Sequence, residues 1–242
     1  MCGRYVLYGP DKRIIVGFSL KELPPFIPRY NIAPTAEVLA VLLGRSGDRI
    51  ARSMRWGLIP SWAKEPGIGA KLNNARADSI AEKPAFRSAF RRWRCLLPAN
   101  GFYEWRAPPE PKGRKQPFYI HPADPDALFA LAGLMERWNG PDGPVYTCCV
   151  ITTEANPLMA PIHDRMPVLL APTQFDAWLD PQNQDTAMLK DMLKPYDADR
   201  MKIRAVGIAV NQARNEGAQL IDPRDGEDNH AVPKAKQTRS QG

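Results

Sequence analysis

Apolar residues in this chain gather in short runs separated by Pro, Gly and Asp, and few recur at the spacing of an amphipathic helix. Runs rich in Val, Ile, Tyr and Phe predict strands over residues 4–8, 38–43, 50–54, 95–97, 101–105 and 118–121. Further strands are predicted over 128–134, 145–152, 167–170 and 203–206. Helical patterns are shorter. They predict helices over 78–81 and 85–93, with Pro84 suited to the first turn of the second. Surface helices are predicted over 173–179 and 185–193, with Thr173 capping the former. Strands dominate and do not alternate regularly with long helices. The pattern thus predicts an α+β fold, a single domain with a curved, barrel-like, mostly antiparallel sheet flanked by short helices, rather than a doubly wound sheet. No repeat or linker interrupts residues 1–222. Residues 223–242 are polar, charged and poor in apolar side chains, so that tail is expected to be disordered.

Composition supports a globular chain with its own core: 242 residues, 44% hydrophobic and 24% charged. The 25 prolines, scattered throughout, keep helices short. No apolar run approaches the roughly 18 residues that span a membrane. The start, MCGRYVLYGP, lacks the charged and apolar regions of a secretory signal, so a cytoplasmic location is expected. Four cysteines are too few for a disulfide scaffold and form no C-x-x-C pair; the three histidines are far apart. Neither a metal nor another cofactor is expected. The net charge of +7 favours a polyanionic partner, an indication that is weak by itself.

Candidate chemistry begins at Cys2. Once Met1 is cleaved, Cys2 presents an α-amine and a thiol on one residue, a 1,2-aminothiol. Such a pair condenses with an aldehyde to an imine and then closes a five-membered thiazolidine, the second step being intramolecular. By position alone, an incidental residue at a frayed terminus is the weightier reading. Glu104 lies in the aromatic run Gly101-Phe102-Tyr103-Glu104-Trp105. If buried, its pKa rises and it suits acid–base work; on the solvent face of an edge strand it does nothing of the kind. His163, in Ile162-His163-Asp164-Arg165-Met166-Pro167, reads as a proton carrier or as a turn histidine paired with Asp164. Arg165 beside it suits a phosphate. In Asn73-Asn74-Ala75-Arg76-Ala77-Asp78, Asn74 could orient a reacting group and Arg76 hold a phosphate, or the segment is a loop ending in a helix cap. Trp56, Trp62 and Trp105 are candidate stacking platforms for unpaired bases, although each reads more readily as core. Arg87, Arg91, Arg92 and Arg94 around Trp93 read as a phosphate track or, more commonly, a solvated helix face.

Several of these segments together resemble the SOS-response-associated peptidase (SRAP) family, the abasic-site processing proteins. The resemblance rests on Met1-Cys2-Gly3-Arg4-Tyr5, Arg29-Tyr30-Asn31-Ile32-Ala33-Pro34-Thr35 and Arg55-Trp56-Gly57-Leu58-Ile59-Pro60-Ser61-Trp62. It continues through Asn74-Ala75-Arg76-Ala77, Pro98-Ala99-Asn100-Gly101-Phe102-Tyr103-Glu104-Trp105, Ile151-Thr152-Thr153, the run from Ile162 to Pro167, Val210-Asn211 and Leu220-Ile221.

The resemblance implies that Cys2 of the processed protein attacks the ring-opened aldehyde of an abasic deoxyribose. It implies that Asn74 orients Cys2 while Glu104 and His163 handle protons. Arg4, Arg76 and Arg165 match phosphate-holding positions, Trp62 and Trp105 positions near a single-strand–duplex junction, and Thr152 the same pocket. The implied partner is single-stranded DNA with abasic sites, bound by a monomer without membrane contact and nucleoid-associated when on DNA. The implied chemistry is lyase-type self-crosslinking, with Met1 removed either by the chain's own autopeptidase (hydrolase) activity or by a separate aminopeptidase. A cysteine peptidase acting on peptides in trans and a non-covalent single-strand-binding module are the competing readings. The first requires turnover of peptides, and the second equal binding of intact and abasic strands.

Overall fold

The computed structural model describes residues 2–108, 110 and 113–224. The strands are β1 (Arg4–Leu7), β2 (Arg29–Ile32), β3 (Glu37–Leu43), β4 (Arg49–Trp56), β5 (Asn74–Arg76) and β6 (Arg94–Ala99). They continue as β7 (Gly101–Arg106), β8 (Gln116–Pro122), β9 (Phe129–Gly140), β10 (Gly143–Glu154), β11 (Arg165–Pro167) and β12 (Met201–Ala205). The helices are α1 (Asp11–Phe18), α2 (Arg87–Arg92), α3 (Phe175–Leu179) and α4 (Thr186–Asp191). The expected disordered tail, 223–242, lies outside the described residues from 225 onward.

The strands form two layers. In one, β12-β8-β7-β1-β2 make an antiparallel five-stranded sheet. In the other, β3, β4, β10, β9 and β6 pair in a ring, because β9 joins both β6 and β10. The barrel-like α+β domain is therefore present. Closure removes free edges from the ring. The chain crosses between layers at Asn100, between β6 and β7. Asn100 is buried: its N–H donates to Val6 O at 2.8 Å, and its Oδ1 accepts from Tyr8 N at 2.7 Å. The next residue must be glycine, because a Cβ on Gly101 would lie 2.4 Å from Ile120 O.

One continuous core fills the ring and the inner face of the open sheet. A second cluster, with Val6, Tyr103, Tyr119, Val210 and Leu220, covers the outer face of that sheet. Burial on both faces explains why β6 and much of β7 read as unbroken apolar runs rather than alternating ones. Cys95, Cys148 and Cys149 are buried free thiols in the ring and behave as small hydrophobes.

β10 is the strand that builds the site. Its first part pairs with β9 and β4 inside the ring. Its last residues instead pair with β5 in parallel, Val150 opposite Asn74 and Thr152 opposite Arg76, and with β11, Glu154 opposite Arg165. Asn74, Arg76, Thr152 and Arg165 are thereby set side by side.

Several local expectations are corrected. Residues 78–81 form turns and no helix. Thr173 sits inside a 3-10 turn, Pro172–Gln174, where Gln174 Oε1 accepts from Ala171 N at 2.9 Å and does the capping. The strand expected over 167–170 is displaced to Arg165–Pro167, since Leu169 makes only an isolated bridge to Leu131. α1, β2 and β5 were not expected. Pro84 lies in the turn ahead of α2, whose Arg87 N–H bonds back to Lys83 O at 2.9 Å.

Arg94 also departs from expectation. It is buried and serves neither a phosphate track nor a solvated face. Its guanidinium donates to the carbonyls of Phe90 and Arg91 at the end of α2, and to those of Trp178, Asp180 and Asn183 around the end of α3. Burial lowers its pKa to about 10, still charged at neutral pH. Arg94→Leu leaves several buried carbonyls without donors at about 1–3 kcal/mol each where water cannot replace the arginine, so a loss of about 3 kcal/mol or more is expected. Urea unfolding measures it, and a loss below about 1 kcal/mol would show that water satisfies these carbonyls.

Candidate functional site

β1 is held between β2 and β7, and this fixes the residues just ahead of it. Tyr5 packs edge-on against Trp56 of β4, ring centroids 5.3 Å apart, tying the open sheet to the ring. Cys2 is fully buried in the main core. Its carbonyl accepts from Asn74 Nδ2 at 2.8 Å, so β5 and the start of the chain are bonded directly. Asn74 Oδ1 is buried with no hydrogen-bond partner among the described residues. The amide is held at one end and offers an acceptor at the other.

Glu104 is on β7. Strand alternation puts it on the same face as Phe102, toward the ring, and puts Tyr103 and Trp105 on the other face. Its carboxyl is buried, 4% exposed. Burial pushes its pKa up; the charge of His163 and the Trp105 N–H, 3.3 Å from Oε1, oppose this in part. The Cys2 thiol is pushed up to about 12, first by burial and then by the Glu104 charge. Burial thus disfavours both anions, and the Glu104 charge adds to the penalty on the thiolate.

His163 lies in the loop between β10 and β11. Its Nδ1 is 3.0 Å from Arg165 N and 2.8 Å from Asp164 Oδ1. One nitrogen cannot accept from the first and donate to the second at once. A ring with its proton on Nε2 accepts from Arg165 N–H at Nδ1, while a ring with a proton on Nδ1 donates to Asp164. The exchange gives the ring a place in either state.

Beside this cluster lies a polar cleft of about 510 Å³ lined by Arg76, Asp78, Glu154, Arg165 and Lys190 among others. Arg165 is anchored by its Nη2, which donates to Thr152 O at 2.6 Å and to Thr152 Oγ1 at 3.2 Å. Arg76 is half exposed and paired with Asp78 at 2.7 Å. Trp62, 59% exposed, stands on the loop that follows β4. An apolar groove of about 430 Å³ at Pro24–Ile27 contains none of the expected site residues.

The structure thus brings Cys2, Asn74 and Glu104 together, with His163 near enough for its charge to act on Glu104. It places Arg76, Thr152 and Arg165 along the adjoining strands. Arg4 and Trp105 are elsewhere, on the outer face of the open sheet. Arg4 Nη1 donates to Asn31 Oδ1 at 2.8 Å and Val210 O at 2.7 Å, and Trp105 Nε1 donates to Asn211 Oδ1 at 2.7 Å. Trp56 is fully buried, its Nε1 bonded to Asn73 O, and is no stacking platform. Two participants were not assigned roles from sequence: Asn31, which is buried and binds three carbonyls of the 210–215 segment, and Lys190 of α4, which enters the cleft from a distant part of the chain. Asn31 stands in one of the quoted motifs; nothing near Lys190 marks it. Among the described residues no group of three or more His, Cys, Asp or Glu is placed to hold a metal ion, and no helix is long and apolar enough to cross a membrane.

A family model described as SOS response associated peptidase (SRAP) matches residues 1–213. Over 226 residues the chain is 44% identical to the abasic site processing protein YoqW of Bacillus subtilis (strain 168), which covers 92% of this chain and 99% of that one. The abasic site processing protein HMCES of Xenopus tropicalis is 34% identical over 225 residues, covering 80% of this chain and 65% of HMCES. Among solved structures, a protein from Bordetella bronchiseptica superposes with a TM-score of 0.70 at 26% identity, covering 85% of this chain and 100% of that one. One from Bacteroides thetaiotaomicron gives 0.76 at 24% identity, covering 92% and 100%, and shares the fold.

The shift of Glu104 has a consequence for stability. Between its ordinary value of 4.5 and its higher folded value, the native state binds more protons than the unfolded one. Its contribution is full below 4.5 and is lost as pH rises through the folded pKa. Glu104→Gln removes that dependence. The variant should gain stability relative to wild type as pH rises from 4.5, then level off, as read by urea unfolding between pH 4 and 8. A gain by wild type over the same range would mean that its surroundings stabilise the carboxylate on balance.

Proposed function

The chain belongs to the SOS response associated peptidase family, and we propose that it recognises abasic sites in single-stranded DNA and captures them covalently through Cys2 after Met1 is removed. The observation that carries this reading is the Asn74 Nδ2 bond to the Cys2 carbonyl at 2.8 Å, beside the buried Glu104. A residue next to the chain start is fixed where an acid–base group can serve it. The names of the relatives YoqW and HMCES, both abasic site processing proteins, supply the substrate class.

In the proposed sequence, His163 helps open the abasic deoxyribose to its aldehyde. The neutral α-amine of Cys2 attacks the carbonyl carbon, Glu104 relays protons, and water leaves as the imine forms. The thiol then adds to the imine carbon. A carbon–sulfur bond forms, the thiol proton passes to the nitrogen, and the five-membered ring closes. No oxidant or reductant is consumed. Closure replaces the imine that would otherwise promote elimination, so the strand stays whole. A thiol with a pKa near 12 suits this order, because the amine reacts first and the sulfur is called on only when the electrophile is adjacent.

Asn74 Oδ1 is a ready acceptor for the amine. Arg76 and Arg165, with Thr152 holding the latter, bind phosphates, and Trp62 stacks at a single-strand–duplex junction. Arg4 and Trp105 contribute through the 210–211 segment they pin, since their donors already serve it. Removal of Met1 precedes these steps, by the site's own hydrolase activity or by a separate aminopeptidase. Residues 1–222 suffice as a monomeric unit.

The test extends the chain ahead of Cys2 with an uncleavable segment. The thiol remains but the amine becomes an amide, which cannot form an imine. On a denaturing gel with abasic single-stranded DNA this variant should give no adduct, and Cys2→Ser should give one only when trapped by borohydride. Wild-type adduct from an extended protein shown intact by mass spectrometry rules out the thiazolidine route. Hydrolysis of peptides in trans would favour the cysteine-peptidase reading instead.

DNA affinity gives a separate check. Arg76→Glu and Arg165→Glu should each weaken binding of single-stranded DNA by about tenfold or more, and wild-type affinity should fall as salt rises. Fluorescence anisotropy reads both; unchanged affinity in both variants removes the phosphate role.

A further inference from the structure

Arg76 and Arg165 project into one cleft, and the like charge of Arg76 helps to lower the Arg165 pKa, after burial. Two guanidiniums so close need a counter-charge. Asp78 provides it. Its Oδ2 is 2.7 Å from Arg76 Nη2 and 3.1 Å from Arg76 Nε, a fork-like contact, and 3.7 Å from Arg165 Nη1. A carboxylate oxygen bridging two arginines has the charge and acceptor geometry of a phosphate oxygen in the same place. Asp78 gains little stability from this arrangement, because it and Arg76 are both half exposed. It lies in the turn after β5, two residues from Arg76 and outside the strand's backbone pairing.

We propose that Asp78 is a built-in stand-in for a DNA phosphate: its carboxylate occupies the Arg76–Arg165 cleft in the free protein, and a phosphate must displace it. This rests on the DNA-binding reading above and adds to it a residue that sets affinity. Every strand, damaged or intact, must compete with the internal anion. Non-covalent binding to intact DNA is thereby weakened, while an abasic strand is retained by its covalent bond. The second cleft carboxylate, Glu154, lies opposite Arg165 in the β10–β11 pairing and acts on Arg165 less than Asp78 does. It provides a control of equal charge.

The test compares wild type, Asp78→Asn and Glu154→Gln for binding of an oligothymidylate by fluorescence anisotropy from 50 to 300 mM salt. Inorganic pyrophosphate, followed by calorimetry, serves as a probe without sugar or base. Asp78→Asn should tighten oligothymidylate binding by about three- to fivefold and steepen its salt dependence by about 0.7 in log–log slope. Glu154→Gln should give less than half that gain. Pyrophosphate should also bind tighter to Asp78→Asn. Equal or weaker binding by Asp78→Asn, with its unfolding midpoint unchanged, would make Asp78 a support for Arg76 and overturn the proposal. So would an equal gain in Glu154→Gln, which signals general charge. If Asp78→Asn itself loses stability, Asp78→Ser is measured under the same criteria. If wild type binds no oligothymidylate at 50 mM salt, the DNA reading fails, and the pyrophosphate arm still decides whether Asp78 competes with anions.

Discussion

The burial of Cys2 is the constraint on which the rest of this structure depends. Residues next to a chain start are ordinarily the most mobile, and ordering each costs about 1–2 kcal/mol of backbone entropy. Here that cost is offset within a few residues. Val6 and Leu7 are buried, each contributing about 1.5–3 kcal/mol on the usual scale for large apolar side chains. Arg4 adds a clamp to the 210–211 segment, Tyr5 leans on Trp56, and Asn74 bonds the Cys2 carbonyl. The two layers are therefore joined at the start of the chain.

The same burial sets the electrostatics. A carboxyl and a thiol share an enclosure that disfavours both anions. Such a site is poorly suited to storing a thiolate and well suited to passing protons between neutral partners. This separates the proposed chemistry from that of a conventional cysteine peptidase, which needs its sulfur ionised before substrate arrives. His163, with alternative acceptor and donor contacts at Nδ1, fits the same pattern of proton exchange with little movement of heavy atoms.

Much of this was legible in the sequence, for identifiable reasons. Runs bounded by Pro and Gly located most strands, because buried strands such as β6 and β9 are largely apolar. β2 and β5 escaped notice because they are short and polar, held by their neighbours rather than by propensity. α1 escaped because its buried face is only Ile14 and Phe18. The motifs named Cys2, Asn74, Glu104 and His163, and three of them converge. What sequence could not give was direction. Arg94 and Trp56 carry the same side chains as a phosphate binder and a stacking platform, yet both point inward. Arg4 and Trp105 flank Cys2 and Glu104 in sequence but lie on the other side of a sheet, since alternation separates neighbours. Asp78 was visible in its motif, but only the paired geometry of two strands shows that it stands between two arginines.

β10 makes the arrangement rigid. Its first half is locked in the ring; its last residues leave the ring and align β5 and β11 by backbone bonds. Asn74 and Arg76 are two residues apart on one strand, so their spacing is set at about 6.6 Å by the backbone repeat rather than by flexible side chains. Thr152 sits opposite Arg76 and also holds the Arg165 guanidinium. On the proposed reading, a sugar that reacts at Cys2 and a phosphate held at Arg76 are placed by the same strand. Binding the phosphate then fixes the distance of the aldehyde from the amine. The positioning needed for imine formation comes from strand pairing already present before DNA arrives.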